Sequence, residues 1–210
     1  MRLCSYTVVY DTGFAPNPFA GYCTLAACTP NHQDIRLRGG DWLVGHANAA
    51  AGHGLIYAME VSESLDFDEY YADPRFASKK PRLDRNWREA CGDNIYHRGA
   101  NGSWFQDVTL FHDNPASRAQ DTQHPTVFVA ERFFYFGADP RAIPDRFRAI
   151  IRDRQGCKCS YPEEIAAGFV AWLTGAYRPG IHSEPRDRGE FEPNKAPHPP
   201  AGACRFTPIS

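Results

Sequence analysis

Apolar residues fall at spacings that alternate between strand-like and helix-like periods. Ser5 to Tyr10 is β-branched and aromatic and ends at Asp11-Thr12-Gly13, which predicts a first strand. Tyr22 to Cys28 reads as a second short strand or buried turn, closed by Thr29-Pro30-Asn31. The Gly39-Gly40-Asp41 turn launches Trp42 to His46, whose unbroken apolar run predicts a strand buried on both faces. After a small-residue turn, Leu55 to Ser62 reads as its hairpin partner. Ser64 to Tyr71 predicts a short helix, with Asp66 as its cap and acidic residues in the first turn, where the helix dipole favours them.

From Asp73 to Gln123 the chain is rich in Pro, Asn, Asp, Gly and Arg, which predicts long loops around two short strands at Asn94–Tyr96 and Val108–Phe111. Thr126 to Gly137 carries the strongest strand signal. A break is expected near Glu131 and a central place in the sheet. Ile143, Phe147, Ile150 and Ile151 predict an amphipathic helix from Pro144 to Gln155. Pro162 to about Leu173 predicts another, stopped by Gly175. From Arg178 onward periodicity gives way to Pro, Gly and charge. The pattern as a whole predicts an α+β domain over residues 1–177, built on a small, strongly curved β-sheet with flanking helices, followed by an extended tail over 178–210.

Composition fits folding: 42% of the 210 residues are hydrophobic and 23% charged, the balance of a globular chain. A formal net charge of -2 provides no overall positive field toward nucleic acid or an anionic membrane, so any such contact is local. No apolar run approaches the roughly 20 residues of a membrane span, and the first residues lack the pattern of a secretion signal, which predicts a soluble cytoplasmic protein. Seven cysteines in that setting predict reduced thiols rather than a disulfide framework. Cys157-Lys158-Cys159 lacks the second ligand pair of a tetrahedral zinc site unless the fold recruits Cys91 and His97, so neither metal nor cofactor is expected.

The most informative loop is Gly13 to Tyr22, where two prolines fix the backbone around three aromatics. Rigid aromatics stack on flat ligands at little entropic cost, which makes Phe14, Phe19 and Tyr22 candidate ligand contacts, or else a plug of the core. Trp42, after the Gly-Asp turn, and Trp104 are candidate pocket walls. Lys79, Lys80, Arg82 and Arg85 form a local cationic stretch that suits contact with a nucleic-acid backbone, or a solvated surface. No catalytic spacing is present. Asp11 and Cys23 are the candidates for an enzyme, the thiol only if its pKa is lowered.

The leading strand, the Gly-Phe-Ala-Pro-Asn-Pro-Phe loop with Tyr-Cys-Thr-Leu-Ala, Gly-Asp-Trp-Leu-Val-Gly, and Leu-Ile-Tyr-Ala-Met-Glu-Val with Phe-Asp-Glu-Tyr-Tyr together resemble the second nucleotide-modification-associated domain family of bacteria and their phages. The Gly-Asp turn and the hairpin after it are similar, more weakly, to the PUA-like superfamily that includes EVE, YTH and ASCH domains. That likeness implies a small PUA-like β-barrel whose cleft accepts a base, with Phe14, Asn17, Phe19 and Trp42 at its mouth. The resemblance implies recognition of a modified base or nucleotide in an aromatic pocket, within DNA-modification or phage-defence systems. The alternatives are an enzyme acting on modified bases or nucleotides, and an interaction subunit whose C-terminal tail docks a protein partner.

Overall fold

A computed structural model of the chain describes residues 1–27, 35–152, 156–189, 191 and 193. Cys28 with the turn after it, the end of the expected helix at 153–155, and most of the tail past 189 lie outside the described residues.

The architecture is α+β, as the pattern predicts, with three sheets among the described residues. The five-stranded sheet runs β1 (Leu3–Thr7), β3 (Trp42–His46), β4 (Leu55–Glu60), β9 (Arg132–Tyr135), β10 (Gly180–Ile181). The three-stranded sheet runs β2 (Cys23–Leu25), β8 (Thr126–Ala130), β5 (Glu63–Asp66), and β6 (Tyr96–Arg98) pairs with β7 (Trp104–Gln106) in a separate hairpin. None of these closes into a barrel, which corrects the PUA-like barrel expectation. Instead, two continuous chain segments cross both larger sheets side by side. β4 pairs with β9 up to Glu60↔Arg132, and β5 pairs with β8 from Glu63↔Val129 onward. The bend lies at Ser62, whose N–H donates to the Val129 carbonyl at 2.8 Å and whose Oγ accepts from the Glu131 N–H at 3.0 Å. The expected break at Glu131 is therefore a corner, and the curved sheet is one ribbon folded there.

Local chemistry explains most elements. β3 is buried at all five positions, as its apolar run requires. α1 (Phe67–Ala72) starts at a capping box in which the Asp66 side chain accepts from Glu69 N and the Glu69 carboxylate accepts from Asp66 N. Residues 64–66, read from sequence as the start of this helix, belong to β5 instead, because β8 offers them an unpaired edge. The segment expected as a helix from Pro144 is a 3₁₀ stretch at Asp145–Ile150, whereas α4 (Glu163–Ala176) forms and lays Ala166, Phe169 and Leu173 on Phe147, Ile150 and Phe134. α2 (Trp87–Ala90) and α3 (Pro115–Asp121) interrupt the long loops; Val108–Phe111 is not a strand, and the strand nearest it is β7.

Residues 178–189 return to the body. β10 pairs in parallel with β9, Asp187 N donates to the Asp11 carbonyl at 2.8 Å, and Phe191 packs edge-on against Trp87. Cys4 and Cys159 are joined by a disulfide, which corrects the expectation of reduced thiols; Cys23, Cys91 and Cys157 are free.

The Gly13–Tyr22 loop is held from inside. Lys79, which is 1% exposed, donates from Nζ to Asn17 O (2.9 Å), Asn17 Oδ1 (2.8 Å) and Tyr22 O (2.8 Å), so all three ammonium protons are used on this loop. Asn17 Nδ2 donates to Cys91 O, and its backbone exchanges two hydrogen bonds with Thr24. Thr24 Oγ1 and Tyr70 Oη both donate to Asp93, at 2.6 and 2.7 Å. Burial pulls Lys79 down to about 8 against the attraction of Asp93, and burial pushes the Asp93 carboxyl up despite Lys79 and its two hydroxyl donors.

Gly45 in β3 has no room for a side chain: a Cβ there would lie 2.2 Å from Tyr57 Cε1 and 2.7 Å from Val8 Cγ2. Gly45→Ala is expected to cost about 1–3 kcal/mol, read as a lower urea midpoint, and an unchanged midpoint would show that the Tyr57 ring yields freely. Lys79→Met takes the ammonium from three loop oxygens, of which Asn17 O and Oδ1 keep the N–H groups of Thr24 and Phe19, and leaves Asp93 without its counter-charge, at an expected cost of about 3–5 kcal/mol. Because the folded pKa of about 8 lies below the ordinary 10.5, the unfolded chain binds the extra proton between those values, and Lys79 stabilises the fold more as pH rises through that window. The stability difference between wild type and Lys79→Met should therefore widen across it; a constant difference would contradict the downward shift.

Candidate functional site

The β6–β7 hairpin places aromatic rings on both of its faces. Side chains alternate across a strand, so Trp104 and its cross-strand partner Arg98 share one face, and Phe105 and its partner His97 share the other. Gly102, at φ +77, closes the turn between them, with its N–H donating to the Gly99 carbonyl. On the inner face Trp104 meets Phe67 edge-on at 5.8 Å, with the Arg98 guanidinium 4.3 Å over its ring. On the outer face the rings form a column. Phe105 stacks on His97 (5.7 Å, 17°), His97 on Tyr71 of α1 (4.0 Å, 22°), and Lys80 Nζ lies 3.5 Å over Tyr71. Phe105, the terminal ring, is 50% exposed, and nearby Val108 is 75% exposed. His97 Nδ1 is buried without a hydrogen-bond partner.

A cleft of about 320 Å³ opens beside this column, lined among others by Gln106, Asp107, Thr109, Asp113, Asn114 and Arg118. That volume lies at the small end of ligand pockets. Asp107 joins the two features, because its carboxylate accepts from Tyr71 Oη at 3.1 Å while also lining the cleft. Arg118 makes no ion pair among the described residues, which leaves a guanidinium at the rim. Other lining groups are committed: Gln106 Nε2 donates to the His112 carbonyl at 2.6 Å, and Asn114 caps α3. Beneath them, His112 takes a left-handed backbone conformation (φ 56) and its Nδ1 lies 2.5 Å from Asp121 Oδ2, which also accepts from Tyr96 Oη at 3.0 Å. These buried groups fix the floor. Stacking surface, cations on both sides and a mixed donor and acceptor lining suit a flat, polar-edged ligand with a negative group.

The residues singled out from sequence are distributed unevenly over this site. Phe14, Phe19, Tyr22 and Trp104 meet in one core cluster, but only Tyr22 and Trp104 are partly exposed. Phe14 is 2% exposed between Phe111 and His112; Phe19 is buried under Arg88; Asn17 is spent on Lys79, Phe19 N and Cys91. Trp42 belongs to a different core, where it stacks on Phe134 with 1% exposure. Of the cationic stretch, Lys79 is enclosed as described, so its ammonium does not reach a phosphate. Lys80 caps the aromatic column, and Arg82 and Arg85 both pair with Asp84.

Asp11 and Cys23 are sealed. Tyr135 Oη donates to Asp11 Oδ1 at 2.5 Å and Arg186 N to Oδ2 at 3.2 Å, so this carboxylate clasps the returning C-terminal stretch; burial raises its pKa. Cys23 is fully buried and its thiol is pushed up to about 12, the reverse of what a nucleophile needs. Neither lines the cleft. Sequence reading missed Tyr71, Phe105 and Arg118. Cross-strand pairing across the Gly102 turn was the available signal for Phe105, obscured because Val108–Phe111 looked more strand-like. Cys91, considered as a metal ligand, donates to Thr12 O, and among the described residues the sulfurs that gather are those of Cys4, Cys157 and Cys159.

No helix among the described residues is long and apolar enough to cross a membrane. No curated protein and no solved structure matches the chain, and the PUA-like likeness finds no confirmation. A family model described as nucleotide modification associated domain 2 matches residues 1–191 of 210, a span that takes in the loop, the folded ribbon, the hairpin with its cleft, and the returning C-terminal stretch. The chain belongs to the nucleotide modification associated domain 2 family.

Proposed function

We propose that this protein recognises a modified nucleic-acid base or nucleotide, stacking it at the β6–β7 hairpin with its polar edge in the adjoining cleft. The observation that carries this reading is the column Phe105–His97–Tyr71, half-exposed at Phe105 and capped by Lys80, beside a cleft whose rim carries the Arg118 guanidinium, which makes no ion pair among the described residues. Membership of a family named for nucleotide modification supplies the ligand class. In this reading Trp104, a candidate pocket wall in the sequence, is instead the ring beneath the hairpin. The Gly13–Tyr22 loop acts as the packed support behind the site rather than as its mouth.

A ligand-binding role fits the chain better than catalysis through Asp11 or Cys23, since both groups are enclosed and committed. Association with DNA-modification or phage-defence systems would make the ligand a base or nucleotide altered by, or feeding, such a system.

The test is a fluorescence and thermal-shift titration of the full chain with modified and unmodified nucleosides, nucleotides and short oligonucleotides. Stacking is worth roughly 1–3 kcal/mol per base, so Phe105→Ala should weaken a selective ligand about 5- to 150-fold with the fold intact, and Arg118→Ala should weaken phosphate-bearing ligands in preference to nucleosides. Selective binding indifferent to both substitutions would move the site elsewhere, and no binding across the panel would remove the reading.

A further inference from the structure

Three sulfurs meet at a place unrelated to the hairpin site. The stretch 156–161 runs against β1, with Ser5 and Lys158 exchanging both backbone hydrogen bonds at 2.9 Å in an antiparallel bridge. On either side of such a bridge, Cys4 faces Cys159 and Tyr6 faces Cys157, and period-2 alternation puts all four side chains on one face. The Sγ atoms of Cys4, Cys157 and Cys159 consequently lie within 4.8 Å of one another. Cys4 is fully buried, and Cys157 and Cys159 are partly exposed at the rim of the core.

Cys157 Sγ sits 3.9 Å from Cys159 Sγ. Two chemistries use a third sulfur beside a disulfide. Thiol–disulfide exchange needs the attacking sulfur in line with the bond it breaks, which would place Cys157 and Cys4 about 6 Å apart, the contact plus one S–S bond of ~2.05 Å. The observed limit of 4.8 Å puts Cys157 to the side of the bond instead. A tetrahedral metal thiolate with Zn–S of ~2.3 Å has sulfurs separated by ~3.8 Å along each edge, which the Cys157–Cys159 spacing matches.

We propose that, once the Cys4–Cys159 bond is reduced, Cys4, Cys157 and Cys159 form a three-sulfur site for a thiophilic divalent cation of the zinc type. Reduction by a phosphine takes oxygen from water, gives the phosphine oxide and leaves thiols at Cys4 and Cys159. The cation then binds the three sulfurs as thiolates, and their protons pass to solvent. The disulfide and the metal site are alternative states of one clasp, each tying the 156–161 stretch to β1. The sequence concealed it because Cys4 stands 155 residues before Cys159.

The experiment titrates Co²⁺ into the full chain, reduced with a water-soluble phosphine and desalted without oxygen. A thiolate-to-cobalt charge-transfer band saturating at one equivalent and displaced by Zn²⁺ is expected. It should be absent from the oxidised chain, lost in Cys157→Ser, and kept in Cys91→Ala. No band from a reduced chain with an unchanged circular dichroism spectrum, or a band surviving Cys157→Ser, overturns the proposal. Should Cys157→Ser fail to fold, alkylation of the reduced wild-type chain, mapped by mass spectrometry, decides: Zn²⁺ must protect Cys4, Cys157 and Cys159, and equal labelling with and without Zn²⁺ overturns it.

Discussion

The corner at Ser62 and Glu131 is the constraint from which the rest of the molecule follows. A two-stranded ribbon running straight from Leu55 to Asp66 and from Thr126 to Tyr135 would be a single flat strip with two apolar faces to cover. Ser62 breaks it by accepting from Glu131 N with its hydroxyl and donating its own N–H to Val129 O, which satisfies the backbone where the ladder is interrupted. The two halves then present differently directed faces. One half gains β3 and β1 on one side and β10 on the other; the other half gains β2 at the free edge of β8. Three apolar clusters fill the resulting angles, and α4 covers the face carrying Trp42 and Phe134.

The second cluster links that architecture to the hairpin. The Gly13–Tyr22 loop would be a costly surface excursion for Phe14 and Phe19, and the ammonium of Lys79 turns it inward by donating to the Asn17 and Tyr22 carbonyls and to the Asn17 side chain. Once that loop is packed, Phe67, Tyr96 and Trp104 have a firm backing, and the β6–β7 hairpin is held with its other face outward. The aromatic column is a consequence of this order: a buried cation fixes a loop, the loop fixes a core, and the core presents Phe105, His97 and Tyr71 at the surface. A rigid platform loses little entropy when a flat ligand stacks on it.

The C-terminal stretch and the sulfur cluster both tie distant chain segments to β1 and the loop that follows it. Asp11 receives Arg186 and Asp187, and Cys4 receives Cys159. The first strand is in this way closed by the last third of the chain, and the family match runs through residue 191, past the end of α4.

What the sequence determined by itself is what short-range chemistry controls. Trp42–His46 and its antiparallel partner, the cap at Asp66, the break at Glu131 and the helix after Pro162 are all legible, because strand period, cap and turn residues act within a few positions of one another. The α+β class and the curvature follow from them. Tertiary structure decided the rest. Whether Phe14 and Phe19 meet a ligand or the core depends on Lys79, some 60 residues away, and a lysine in a basic stretch reads as exposed until its three acceptors are seen. Whether Cys157-Lys158-Cys159 is a lone pair or part of a trio depends on Cys4 at the other end of the chain. Phe105 joins a ring column only because α1 packs on β6 and brings Tyr71 to His97. Burial and pairing between residues far apart in sequence leave no local period to read, so those positions acquire their roles only when the chain has closed.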